Sequence, residues 1–509
     1  MCGVFLRIWE GLMNIYSAHN PSIALMMHIS KGPLLGLVFI LPIWYALPSA
    51  LDPTAGSLWV YFANATGPLL QGFMCALIAY RTVKVWRYSI LTPYVGFFLQ
   101  CVIYLSIGPL VFIFGGESIS QETDVGVFRF DAYELLRTNL LNAVGICGFV
   151  MGVGIYALGE EKQGFALKTA VHGISPVLLM KVFLIFGGII NFGISLPQAF
   201  GQSTFQVPAM ITALSSLFIG GLGILGYLYA KQPARWRVLF WGLLIPNTII
   251  SVLSFYKTEM VLSLLFPALG IFLAKPNLRR LAIWVTVISI LFTIMLPLVS
   301  YGRAVIVKES GFFQSASLGR RFEILTDFVA GDEGATGTNS ASQSAWKRLA
   351  YSGPQAFLMR LGDRGQEAVT LDGAILRLAP RFLFPDKPNY QTYGNVVYQM
   401  ATNNNLETNV GGTVFADAYW HGGWLGTLIC GMVVGIIFCY FTKRALGWLQ
   451  SANFLYLPLV FFLWENSLHG VGKYMHNGLI VPVIYFFLGL GALNLIMALY
   501  RTRGPLRAR

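Results

Sequence analysis

Charge is what this chain has least of. Of its 509 residues only 11% are Asp, Glu, Lys or Arg, while 56% are hydrophobic and the mean hydropathy is +0.64. Soluble domains carry about a quarter charged residues, so the composition excludes a water-soluble globular protein and leaves an integral membrane protein. Cysteine is scarce too. The six (Cys2, Cys75, Cys101, Cys147, Cys430, Cys439) lie at the N-terminus or in hydrophobic segments, without a CxxC or a Cys/His cluster. That pattern predicts neither a structural disulfide nor a thiolate metal site. No Walker A sequence, HExxH or GxSxG occurs, so the signatures of P-loop, zincin and serine-hydrolase chemistry are missing. No internal repeat and no matched pair of Gly/Pro-broken spans is present, which weakens an inverted-repeat transporter. The net charge of +13 would point a soluble protein toward nucleic acid; here its distribution along the chain explains it better.

Long apolar runs are what the chain has in plenty. A membrane-crossing helix needs about 20 mostly apolar residues. Runs of that kind are Pro33–Ala50, Leu58–Tyr80, Ile90–Phe114, Leu136–Gly159, Ser175–Pro197, Pro208–Ala230, Val238–Tyr256, Thr258–Ala274, Leu281–Ser300, Thr413–Phe441, Phe454–Leu468 and Leu479–Tyr500, about twelve spans in all. The seventh and eighth are joined by almost nothing, and the eleventh is short. Ahead of them, Val4–Tyr16 reads either as a helix lying at the interface or as a frayed polar tail.

Lys and Arg in the short loops set the orientation. Arg81, Lys84 and Arg87 follow the second span, Lys162 and Lys168 the fourth, Lys231, Arg235 and Arg237 the sixth, and Lys275, Arg279 and Arg280 the eighth. Lys443 and Arg444 follow the tenth span, and Arg501, Arg503, Arg507 and Arg509 the last. Both termini are therefore expected inside and the alternate loops outside. The first outward loop holds no DxD. The expected fold class is an all-α polytopic membrane protein. It comprises an N-terminal membrane bundle over 1–300, a large outward loop with short helices over 301–412, and a C-terminal bundle over 413–509.

That loop is where chemistry is expected, because a simple carrier rarely needs so large a polar insert. Leu318–Phe328, Ala345–Tyr351, Pro354–Leu361 and Gln366–Leu378 have helical texture, and Gly331–Gln343 is small and polar. Ala379–Tyr390 holds three prolines and reads as a rigid extended turn. Its arginines Arg303, Arg320, Arg321, Arg377 and Arg381 match phosphate oxygens in pairs of hydrogen bonds, although some are expected to be solvated or paired with acids. Lys387, beside Asp386 between two prolines, is either an exposed ion pair in a turn or a catalytic contact. Lys257 and Glu259 open the eighth span, as a snorkelling pair or with the cation aimed at a lipid-linked phosphate.

Past the loop, Asp417 and His421 are spaced by four, which puts them on one face if the helix has already begun. Asp417 suits a general base for a sugar hydroxyl; structural pairing with His421 or an arginine is the competing account. His469, Lys473 and His476 lie in the Gly-rich last outward connection, with Glu465 just before it. They suit proton handling or phosphate contact better than metal. Lys181 is expected to face the bundle interior.

At Ser254–Ser263 (SFYKTEMVLS), Tyr301–Arg303 (YGR), Leu378–Pro388 (LAPRFLFPDKP) and Phe415–Gly426 (FADAYWHGGWLG) the chain resembles the Wzy-type O-antigen or exopolysaccharide repeat-unit polymerases, GT-C-like membrane glycosyltransferases. Lysine stands at 257 and aspartate at 417 where that family commonly has arginine and glutamate. The resemblance implies a bacterial inner-membrane enzyme that transfers a growing glycan from undecaprenyl pyrophosphate to a lipid-linked repeat unit on the periplasmic face. The candidate catalytic residues are then Asp417 and His421, and the candidate substrate-binding residues Lys257, Arg303, Arg320, Arg321, Arg377, Arg381, Lys387, His469, Lys473 and His476. No metal motif is present and no cofactor is expected; a chain-length regulator and a flippase are the expected partners. An O-antigen ligase, and a non-enzymatic polysaccharide exporter or flippase, are the alternatives.

Overall fold

The computed structural model describes residues 23–51, 56–114, 128–162, 174–200, 214–255, 257–310, 316–330, 350–371, 392–403 and 410–503, with isolated positions at 373, 376, 384 and 386. Among these residues every element is helical, and nine helices are long and apolar enough to cross a membrane. The chain is a polytopic all-α membrane protein.

In chain order α1 is Lys31–Pro48, α2 Leu58–Val85, α3 Pro93–Phe114, α4 Ala132–Lys162 and α5 Pro176–Ser195. Then come α6 Ser216–Lys231, α7 Pro233–Leu253, α8 Lys257–Ala274 and α9 Leu278–Ser310. The polar interruption supplies α10 Leu318–Ala330, α11 Ser352–Asp363 and α12 Tyr393–Thr402. The chain ends in α13 Val414–Gln450, α14 Leu457–His469 and α15 His476–Leu495. Three of the expected spans are the shorter helices α6, α8 and α14, the last only 13 residues long.

Two compact units result. One comprises Met1–Thr169, Ala345–Gln450 and Phe462–Arg509; the other comprises Ala170–Ser344 and Ser451–Phe461. The polar interruption feeds both. In the first unit α4 crosses α13 at backbone contact. A Cβ at Gly148 would lie 2.3 Å from Leu428 O, one at Gly152 2.1 Å from Met432 O, and one at Gly431 2.3 Å from Gly145 O. Small residues let membrane helices approach this closely, where dispersion replaces the hydrophobic effect as the attraction. The second unit repeats the device. A Cβ at Gly226 of α6 would meet Pro267 O of α8 at 2.4 Å, and one at Gly187 of α5 would meet the Phe218 nitrogen at 2.2 Å.

Three expectations change. Lys181 is exposed rather than turned inward. It lies little more than a turn into α5, close enough for its stem to carry the ammonium toward the interface. The helical texture at Gln366–Leu378 holds at Leu376 but not over residues 366–371. Gly365 adopts φ +66 and closes α11, with Gly365 N–H on Gly362 O and Gln366 N–H on Leu361 O, and residues 366–371 run on as coil and turn. The tenth expected span is not one helix, because α13 breaks at Gly422 (φ −152, ψ 21) and Gly423 (φ 60, ψ −151). The turn expected at Ala379–Tyr390 and the N-terminal segment Val4–Tyr16 lie outside the described residues, apart from single positions of the former.

Candidate functional site

The break in α13 builds the candidate site of the first unit. Residues 414–421 form a short helix, and the long span begins after it. Gly423 occupies a backbone region that only glycine populates readily. The second segment folds back on the first: the Thr427 hydroxyl donates to Phe415 O (3.3 Å), and a Cβ at Gly426 would lie 2.6 Å from Ala418 O.

Asp417 therefore points into protein. It is fully buried. The Thr370 hydroxyl donates to its Oδ1 at 2.5 Å, and the Met475 N–H donates to Oδ2 at 2.8 Å. That N–H precedes α15, where an orphan helix donor and the helix dipole both favour a carboxylate. His421 lies on the same face. Its Nδ1 is 2.8 Å from Asp417 O and 3.5 Å from Asp417 Oδ1, and its side chain keeps 25% of its surface exposed. With the proton on Nδ1 donated to Asp417, the lone pair is on Nε2 at the far side of the ring.

Aromatic rings surround this pair. Tyr419 and Trp424 meet edge to face at 5.1 Å, and the Trp420 indole N–H donates to Gln366 O (2.8 Å). Two ion pairs hold α11 to the start of α4: Arg137 grips Asp363 (2.8 Å), and Arg360 grips Glu134 (2.7 Å). Tyr419 adds a hydrogen bond to Asp363 (2.7 Å). Burial pulls the Asp363 carboxyl upward, but the Arg137 and Tyr419 hydrogen bonds outweigh it and hold the group below the usual carboxylate range. Beneath them the buried Gln355 amide donates to Asn142 Oδ1 (2.7 Å) and Thr413 Oγ1 (2.8 Å). The loop helix α11 is thus pinned to the residues just before Asp417.

His469, Lys473 and His476 follow on the last connection. His476 is buried with its ring 5.2 Å from Tyr393, while Lys473 and His469 are exposed. Lys473 is two residues from the N–H that holds Asp417, so these residues join one neighbourhood.

The second unit receives Lys257, Arg303, Arg320 and Arg321. Arg321 is fully buried. Its guanidinium donates to Ala316 O (3.0 Å), Leu253 O (3.3 Å) and Ser254 O (2.9 Å), and lies over the rings of Phe200 and Phe255. Arg303 donates through Nε to Phe255 O (2.9 Å). Both arginines therefore hold the turn between α7 and α8, where Phe255 has φ 54. Gly302 makes room for that ring, since a Cβ there would come within 2.7 Å of it. The resembling stretches at 254–263 and 301–303 thus meet at one turn. Arg320, on the other face of α10, pairs with Glu309 (2.5 Å) and Glu323 (2.9 Å). Lys257 opens α8. Arg377, Arg381 and Lys387 lie outside the described residues.

Thr370, and the Met475 N–H as an acid's partner, gave no sequence signal; the Gly422–Gly423 pair after His421 was the available sign of a break. Among the described residues no three His, Cys, Asp or Glu side chains converge as metal ligands. No family model, no curated protein and no solved structure matches this chain.

Proposed function

We propose that this protein is a membrane glycosyltransferase of the repeat-unit polymerase type, moving a growing glycan from undecaprenyl pyrophosphate onto a lipid-linked repeat unit at the outer face of a bacterial inner membrane. The observation that supports this reading is the Asp417–His421 pair at a broken helix: a buried carboxylate oriented by two donors, with a partly exposed imidazole held on the Asp417 main-chain oxygen and 3.5 Å from the carboxylate.

In this reading His421 Nε2 takes the proton of the acceptor hydroxyl, and that oxygen bonds to the anomeric carbon of the donor glycan. The bond from the anomeric carbon to the pyrophosphate oxygen breaks, and undecaprenyl pyrophosphate leaves with the electron pair. Asp417 fixes the tautomer and steadies the imidazolium. The exposed Trp424 offers a ring face to sugar, and the buried Tyr419 packs against it edge to face. Arg320 and Arg321 are engaged by carboxylates and by carbonyls, and Arg303 by the Phe255 carbonyl, so beside the Asp417–His421 pair the phosphate role falls to Arg377, Arg381 and Lys387 of the same unit. Guanidinium and ammonium groups stabilise the charge that develops on the leaving group.

The test is purified protein with lipid-linked repeat units. His421→Ala and Asp417→Asn should each lower polymerisation by about 10²–10⁴-fold, with activity retained in EDTA. Full activity in His421→Ala would remove it as the base, and a chelator-sensitive activity restored by a divalent metal would end the metal-free mechanism. In cells, deletion should leave single repeat units. Polymer stranded on the carrier lipid would indicate a ligase, and repeat units trapped inside a flippase.

A further inference from the structure

Beside the last outward turn of the first unit stands a group of side chains that the proton transfer leaves unused. Tyr104 lies on a π-helical segment of α3, Ile103–Ile107. Such a segment disturbs the regular ladder and recurs at functional sites. Here it is built in: the Ser106 hydroxyl donates to Cys101 O (3.0 Å), and the buried Gln71 amide donates to Leu105 O (2.9 Å) and Ser106 Oγ (3.2 Å). Tyr104 reaches the end of α14, with its hydroxyl 3.4 Å from His469 Nδ1. The Tyr351 ring lies 5.6 Å from the Tyr104 ring, and its hydroxyl is so close to Gly472 that a Cβ there would meet it at 2.8 Å. Glu465 and Lys473 act on one another electrostatically without closing to an ion pair.

Position makes the group informative. The 13 residues of α14 rise about 20 Å, against about 30 Å of hydrocarbon. His469 and the turn after it stand at the end of that short helix. His469 and Lys473 keep exposed surface there, and ionisable groups beside a membrane favour polar surroundings over lipid. The group has one carboxylate, one ammonium, an imidazole and two phenols. The opposite charges cancel, which suits hydroxyl groups: a polyol donates to Glu465, accepts from Lys473 and lays its C–H face on a ring. A phosphate would meet Glu465 at a cost.

We propose that Tyr104, Tyr351, Glu465, His469 and Lys473 form a subsite for an uncharged sugar ring of the acceptor. This rests on the polymerase reading and extends it, because Lys473 stands two residues from the N–H that holds Asp417.

The experiment is saturation-transfer NMR on the full chain in detergent. Methyl α-D-glucopyranoside and methyl β-D-galactopyranoside serve as neutral probes, and glucuronate and inorganic phosphate as anionic ones. Transfer to a neutral glycoside is expected, with affinity weakened by about tenfold or more in Glu465→Gln and Lys473→Met, as for a lost hydrogen bond to a charged group. Tyr104→Phe, which keeps the ring, should weaken it too and decides the matter if the other variants do not fold. No transfer to either neutral probe, transfer to the anions alone, or wild-type affinity in the variants overturns the subsite. Polymerisation without glycoside binding removes the subsite and keeps the polymerase; binding without polymerisation removes the polymerase and keeps the subsite.

Discussion

Arg321 is buried with its guanidinium on backbone carbonyl oxygens and within electrostatic reach of the Glu259 carboxyl. Three of its partners, Ala316, Leu253 and Ser254, are backbone oxygens, two of them at the end of α7 where helix carbonyls lack internal donors. Arg321→Ala strands them, at about 1–3 kcal/mol for each buried group left unsatisfied. The protein in detergent should therefore melt well below wild type. Arg321→Lys should not restore it, since an ammonium lacks the planar fork that reaches several acceptors at once. Arg320→Ala should melt near wild type, because exposed ion pairs contribute little. A wild-type melt for Arg321→Ala would show that these contacts are idle. In the sequence the two arginines look interchangeable. Helical register separates them: Arg321 shares a face with Ile324 and Phe328, which join the apolar cluster around Phe255. That inward register was legible. What the guanidinium meets was not, because carbonyls sixty-odd positions away carry no residue identity to read.

The same limit governs α13. Hydropathy runs without interruption from Thr413 to Phe441, so a period-based reading sees one span, and both sides of the break are apolar enough to bury. The close crossing of α4 and α13 was equally hidden, since glycines declare a contact only once the partner helix is known. At Gly423 the backbone is outside the range of other residues, with φ 60 and ψ −151. Gly423→Ala should cost about 1–3 kcal/mol and disturb the fold-back that buries Asp417. The expected result is a lowered melting temperature together with reduced polymerisation, larger than for Gly491→Ala, where a Cβ meets nothing within 4 Å. Equal effects at the two glycines would show that the break is not required.

Across the whole chain, orientation is the property that most depends on the sequence, because it is written in loop charges rather than in packing. The basic residues cluster after the even-numbered members of the twelve spans expected from hydropathy: Arg81 to Arg87, Lys162 and Lys168, Lys231 to Arg237, Lys275 to Arg280, Lys443 and Arg444, and the arginines from Arg501 onward. Basic residues near span ends stay on the cytoplasmic side during insertion, and one extra or missing crossing would break the alternation. That matters for the short helices α6, α8 and α14, since deleting any one of them as a crossing would move every later loop to the other side. With the six native cysteines replaced, a cysteine at Ser315 or Ser340 should react with a membrane-impermeant maleimide from outside. A cysteine at Lys162, Gln232 or Arg509 should react only after permeabilisation. Outside labelling at Gln232 would reverse the middle of the chain, and outside labelling at Arg509 alone would mean that α14, of the three short helices, does not cross. Outside labelling at Gln232, with Ser315 and Ser340 reached only from inside, would move the Asp417–His421 pair and the Arg321 turn to the side where lipid-linked glycan is assembled rather than joined, and the polymerase reading would fail with it.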